Sequence, residues 1–285
     1  MVSSLEGEAR AVAMTTGLPA TRKSLCADLR GLGLSEGSTV LVHSSLSALG
    51  WVVGGAQTVV LALEDAIGAT GTLMMPAYSL NAPEPSVWRH PPVPESWWEM
   101  IRNEWPPFDR EFSPSRHLGT IAETFRHQPG TERSEHPNDS FCARGPKAKT
   151  LLESHSLDNG LGEGSPLARL YDLRGLVLLL GVDHSSNSSL HLAEYRAEWP
   201  DKHSAPPFRA RMIRDGSIVE VVGHDIDINS DDFGRLGLDF ESELGLVRTG
   251  PLGAGTGRLM DQRALVDFGV TWIEKHRTPP PGRGE

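Results

Sequence analysis

The chain has 285 residues, 38% hydrophobic and 22% charged, enough to bury a sizeable core in one large domain or two small ones. Its 27 basic and 37 acidic side chains give a formal charge of −10, which argues against a nucleic-acid backbone or an anionic membrane as partner and favours a cationic one. Two cysteines, Cys26 and Cys142, are too few for a disulfide scaffold or a cysteine zinc site.

Residues 1–20 are small, polar and Ala-rich and read as a flexible N-terminal arm. Glu6 and Glu8, with no apolar core beside them, do not make a signal peptide. The longest apolar run, Leu176 to Leu180 followed by Gly181 and Val182, is far too short to span a bilayer. A cytoplasmic protein is expected. Residues 21–277 read as one domain, and the tail from Thr278 to Glu285 (TPPPGRGE) as disordered.

Ser24 to Leu32 has helical spacing, and Thr39 to His43 (TVLVH) is a β-branched run expected as a buried strand. Gly54-Gly55 opens a helix over Ala56 to Ile67, and Thr72 to Tyr78 is a second strand ended by Pro76. That order suggests a parallel pair with its crossover. Residues 80 to 115, rich in proline and holding Trp88, Trp97, Trp98 and Trp105, read as a long irregular excursion packed by aromatics.

Leu118 to His127 is expected as a helix and Asp139 to Ala143 as a short strand. Helices are expected over Lys147 to Ser154 and Pro166 to Leu173, and a central strand over Leu176 to Val182. Asn187 can cap a helix from Ser188 to about Ala197. Met212 to Val222 reads as a hairpin turning at Asp215-Gly216. Gln262 to His276 forms an amphipathic helix with Leu265, Phe268, Gly269, Trp272 and Ile273 on one face. The class is α/β: a mixed central sheet flanked by helices.

Four constellations can carry chemistry. His43, Ser44, Ser45 and Leu46 end the first strand, and Gly54-Gly55 follows. The Gly-Gly pair and the helix start behind it suit an anion held by backbone amides, although a serine-capped turn fits too. Asn187, His191 and Glu194 fall at i, i+4 and i+7 of a predicted helix, where a carboxylate can orient an imidazole. The competing reading is a solvated His–Glu pair. Asp225, Asp227, Asp231, Asp232, Asp239, Glu241 and Glu243 form an acidic stretch with only Arg235 nearby, either a docking wall for a polycation or a solvated loop. Arg133, Ser134, His136 and Ser140 precede a strand and read as a phosphate site or an ordinary polar turn. There is no H-E-x-x-H or C-x-x-C motif.

Together the stretches LVHSSLSALGWVVGGAQTVVLALEDAIGATGTLMMPAYS, PPFD at Pro106 to Asp109, RSEHPNDSFCARG, GEGSPLARL and LVLLLGVDHSSNSSLHLAEYRA resemble the aminoglycoside N3-acetyltransferase family. They run in order from about residue 20 to residue 275. The resemblance implies acetyl-CoA as donor, with no metal. It implies the 3-amino group of a 2-deoxystreptamine antibiotic as acceptor. It assigns the catalytic roles to His191 and Glu194. It assigns CoA binding to His43, Ser44, Ser45, Leu46, Gly54 and Gly55, with Arg133, Ser134, His136 and Ser140 added as cofactor candidates. Tyr78, Asp109, Asn187 and Ser188 are expected to face the antibiotic; many relatives carry threonine at position 188, and Ser188 keeps the hydroxyl. Asp231 and Asp232 join them on charge alone, since the acidic segment has no residue-by-residue match. The sequence leaves open a homodimer, another amine as acceptor, a non-catalytic CoA- or antibiotic-binding protein, and a metal-dependent hydrolase built on Asp183, His184, His191 and Glu194.

Overall fold

The computed structural model describes residues 4–79, 84–87 and 91–277. In chain order the elements are α1 (Ser4–Met14), α2 (Arg22–Gly31), β1 (Thr39–Ser44), α3 (Gly55–Ile67), β2 (Thr72–Pro76), α4 (Trp98–Glu104), α5 (Gly119–Arg126), β3 (Glu132–Arg133), β4 (Phe141–Arg144), α6 (Ala148–Leu152) and α7 (Pro166–Asp172). They continue with β5 (Leu176–Leu180), α8 (Ser189–Arg196), β6 (Phe208–Arg214), β7 (Ser217–Gly223), α9 (Phe233–Leu244), β8 (Arg248–Leu252), β9 (Gly255–Asp261) and α10 (Gln262–His276).

Seven strands form one mixed sheet in the order β3-β4-β2-β1-β5-β9-β8. The centre is parallel, with Val42 beside Leu178 and Thr39 beside Thr72. Antiparallel strands flank it: β4 against β2, and β9 against β5. Strand β5 (LVLLL) lies mid-sheet with both faces covered, which is why it is apolar at every position rather than at alternate ones. Alternation in β1 still sorts the two cores. Val40 and Val42 pack with α2, α3 and α5 through Leu25, Leu29, Leu63 and Phe125. Leu41 joins the other core, where Leu190, Leu236 and Leu265 from α8, α9 and α10 meet Val177 and Leu179. The end of β1 meets the start of α8 where the Ser188 amide donates to His43.

Local chemistry explains several boundaries. Thr21 and Ser24 form a reciprocal capping box at α2, Ser165 caps α7 just before Pro166, and Asp261 caps α10. The hairpin β6–β7 turns at Asp215-Gly216 as expected.

Other expectations give way. Residues 4–14, expected within a loose arm, form α1: small Ala-rich residues are good helix formers, and Ala11 is buried while Thr15 donates to its carbonyl and accepts from the Trp51 amide. The acidic stretch is not a continuous loop. Its second half is α9, whose Phe233, Leu236, Gly237 and Phe240 make a buried i, i+3, i+4, i+7 stripe. Trp88 and the tail 278–285 lie outside the described residues. Among the described residues no helix is long and apolar enough to cross a membrane.

Candidate active site

Strand β5 ends at Leu180, a 3-10 turn spans His184–Ser186, and α8 begins at Ser189. Asn187 is buried and turned inward: its side-chain oxygen accepts from the Ser189 amide at 3.2 Å, and its amide nitrogen meets His184 Nδ1 at 3.3 Å. It therefore shapes the start of α8. Its capping bond also starts the helix one residue later than expected.

On α8, His191 Nδ1 lies 2.6 Å from Glu194 Oε2. Glu194 is fully buried, and its second oxygen accepts from the Asn229 amide at 3.0 Å and from Arg277 Nη1 at 2.5 Å. A neutral imidazole facing a carboxylate through Nδ1 carries its hydrogen there and keeps the Nε2 lone pair. The ring packs edge-on against Phe233, 4.8 Å between centroids.

His43, at the end of β1, approaches from the opposite side. Its Nε2 accepts from the Ser188 amide at 3.3 Å. Burial, and then the nearby His191 charge, push its pKa down to about 3. The Tyr78 hydroxyl donates to Ser188 Oγ at 2.6 Å, and burial holds the phenol well above its ordinary pKa. Asp139 stands close enough to feel the charges of His191 and Asp225, and burial pushes its carboxyl up to about 7. Ser188 thus links His43 and Tyr78, with His191 and Asp139 near enough to act on this group electrostatically.

Gly54 and Gly55 open α3 with φ of 77° and 60°, a left-handed conformation that glycine adopts without strain. The N-terminus of α3 has no side-chain cap and no acidic residue in its first turn. A β-carbon on Gly55 would meet nothing within 4 Å, so this helix start is open. Ser44 and Ser45 are half-buried, and Leu46 begins a 3-10 turn instead of a loop.

The sequence profile of the aminoglycoside 3-N-acetyltransferases matches residues 41–274. The chain belongs to that family. An aminoglycoside N(3)-acetyltransferase VIII of Streptomyces fradiae is 40% identical over 270 residues, covering 90% of this chain and 93% of the relative. The crystal structure of YokD from Bacillus subtilis superposes with a TM-score of 0.89 at 40% identity, over 94% of this chain and 98% of that one. A structure of AAC-IIIb in binary complex with CoASH superposes with a TM-score of 0.82 at 34% identity, over 93% and 100%.

In this acetyltransferase four expected cofactor residues are buried and bonded within the chain. Arg133 donates to Ser140 Oγ at 2.9 Å and to the Ser113 and Ala77 carbonyls at 2.5 Å each, and its guanidinium lies over Phe108. Ser134 Oγ accepts from the Phe141 amide at 2.9 Å and meets His155 Nδ1 at the same distance. His136 is buried and its Nδ1 accepts from the Asp139 amide at 2.8 Å. All four are buried. Their polar atoms tie β3, β4 and the excursion together.

Asp109 is likewise spent on its own loop, accepting from the Glu111 and Phe112 amides at 2.8 Å each. Asp231 is exposed, whereas Asp232 is held by Arg277 at 2.7 and 2.8 Å. The acidic stretch therefore has more partners than Arg235, since Arg258 also pairs with Glu241. Arg277 was missed because it lies 83 residues from Glu194 at the edge of a tail that reads as disordered. A cavity of about 800 Å3 opens between residues 102–106 and the β6–β7 hairpin, and one of about 460 Å3 beside residues 15–24. Neither includes His191, so hydrogen-bond geometry, not cavity size, locates the chemistry. Among the described residues no three His, Cys, Asp or Glu side chains are grouped to hold a metal ion.

Proposed function

We propose that this enzyme transfers the acetyl group of acetyl-CoA to the 3-amino group of a 2-deoxystreptamine aminoglycoside, directly, within a ternary complex. The observation that carries the reading is the His191–Glu194 contact of 2.6 Å, with Glu194 fully buried and His43, which is bonded to Ser188, close enough to feel the His191 charge. The CoA complex of a relative that superposes over nearly the whole chain supports the donor. The net charge of −10 supports a polycationic acceptor.

An aminoglycoside amine is protonated near neutral pH and must lose a proton to attack. His191 Nε2 takes it, while Glu194 holds Nδ1–H and stabilises the imidazolium that forms. The amine nitrogen bonds to the thioester carbonyl carbon, and the carbon–sulfur bond breaks. The CoA thiolate leaves and is then protonated. Charge on the carbonyl oxygen is met by a hydroxyl or loop amide near the end of β1. CoA phosphates rest at the open Gly54-Gly55 helix start, where the first amide groups lack helical partners. Tyr78, Ser188 and the exposed Asp231 lie toward the acceptor.

Incubating the purified protein with acetyl-CoA and a panel of aminoglycosides tests this. The expected result is CoA thiol release with acetylation at the 3-amino group. Release with a different amine acetylated changes the acceptor, and no release with any member of the panel rejects the reading.

A further inference from the structure

Arg277 sits just beyond α10, and every face of its guanidinium is engaged. Nη1 donates to Glu194 Oε1 at 2.5 Å. Nε and Nη2 fork onto the two oxygens of Asp232 at 2.8 and 2.7 Å, and Nη2 also donates to the Asn229 carbonyl at 2.7 Å. The group lies over the Trp199 ring, 5.1 Å from its centroid. One side chain thus joins the end of α10, the start of α9, the loop before it and the buried carboxylate behind His191. Bidentate pairing of this kind fixes geometry as well as charge.

We propose that Arg277 is a positioning residue for acetyl transfer, acting through Glu194 to fix the orientation and charge state of His191. The proposal rests on the reading of His191 as the base.

The sign of its effect follows from charge. His191 and Glu194 face Arg277, Asp232, His43 and Asp139. Removing the one permanent cation from that set leaves a more negative surround. The pair then binds its next proton more readily, and the imidazole titrates at higher pH. A role confined to anchoring the end of α10 would lower thermal stability and leave this titration unmoved.

The test combines NMR titration of the His191 imidazole, which needs no turnover, with the pH profile of kcat/KM for the antibiotic. R277A and the uncharged, similarly shaped R277Q are expected to move the His191 midpoint up by about one pH unit. They should lower kcat about tenfold or more at neutral pH and leave KM for acetyl-CoA within twofold. R277K keeps the charge and should restore much of the midpoint while recovering kcat only in part, because an ammonium cannot fork onto Asp232. Should R277A fail to fold, R277Q carries the measurement. An unmoved His191 midpoint in a folded uncharged variant overturns the proposal. A moved midpoint without a matching shift in the kcat/KM profile leaves Arg277 in control of the pair and rejects His191 as the base.

Discussion

The backbone amide of Ser188 donates to Nε2 of His43 across 3.3 Å, linking the start of α8 to the end of β1. That bond occupies the lone pair a base would need. Burial and the His191 charge hold His43 near a pKa of about 3, so it is neutral at every pH where the enzyme would work. His43 thereby accepts from the Ser188 amide, and His191, the base of the proposed reaction, has its Nδ1 tied to Glu194.

Substitution separates the two histidines. His191→Ala should lower kcat by about 10²–10⁴-fold, the usual worth of general base catalysis, with acetyl-CoA affinity nearly intact. The ascending limb of the pH profile of kcat/KM for the antibiotic should disappear with it. His43→Ala should disturb donor binding at least as much as turnover and keep the limb, because a group titrating near 3 cannot produce it. Steady-state kinetics across pH decide the matter. Near-normal kcat in His191→Ala beside a collapsed kcat in His43→Ala would exchange the roles.

The start of α3 offers a charge test. Gly55 has φ of 60° with open space where a β-carbon would stand. Asp and Asn both tolerate that conformation better than other side chains, so Gly55→Asp and Gly55→Asn carry similar strain and differ mainly in charge. If CoA phosphates rest there, Gly55→Asp should weaken CoA binding about tenfold or more, and Gly55→Asn distinctly less. Calorimetric titration with CoA measures both, and equal affinities would remove the phosphates from this helix.

The elements legible in the sequence are those whose pattern and burial agree. Strands β1 and β5 read correctly because short apolar runs in a sheet covered on both faces need no alternation. Strands β8 (RTGPL) and β9 (GTGRLMD) were not read, since glycine and proline break the strand pattern and antiparallel pairing, β9 with β5 and β8 with β9, holds them in the sheet. Helix α9 was hidden by its charges. Its Gly237 is needed where a β-carbon would fall 1.9 Å from the His184 ring, and glycine in mid-helix counts against a helix on propensity. His191 and Glu194 were legible because the pair is local, three residues apart on one helix. The inward turn of Arg133 was not, because the Ala77 and Ser113 carbonyls that receive it lie 56 and 20 residues away.

That inward turn carries its own prediction. Arg133→Ala takes the guanidinium donor from the Ser113 carbonyl, leaves the Ala77 carbonyl only its bond from Ser140 Oγ, and empties the space over Phe108. Unsatisfied buried groups cost about 1–3 kcal/mol each. Urea unfolding should show a loss of roughly 3–5 kcal/mol, while folded Arg133→Ala binds CoA with affinity close to that of the parent. A stable variant with weak CoA binding would instead make Arg133 a ligand contact.

Asp139 gives the opposite sign. Its carboxyl titrates near 7 in the folded chain, raised first by burial and then by Asp225, with His191 opposing; unfolded, it titrates near its ordinary 3.8. Between those values the folded state binds more protons than the unfolded state, so stability falls as pH rises from about 4 to 7. Above pH 7 the whole penalty is present. Asp139→Asn keeps the shape and removes the charge. It should therefore melt higher than the parent at pH 8, by the equivalent of roughly 1–4 kcal/mol, and the advantage should narrow steadily as pH falls toward 4. Thermal melting at a series of pH values reads this directly. A gap that stays constant with pH would mean that the carboxyl ionises as freely in the fold as outside it.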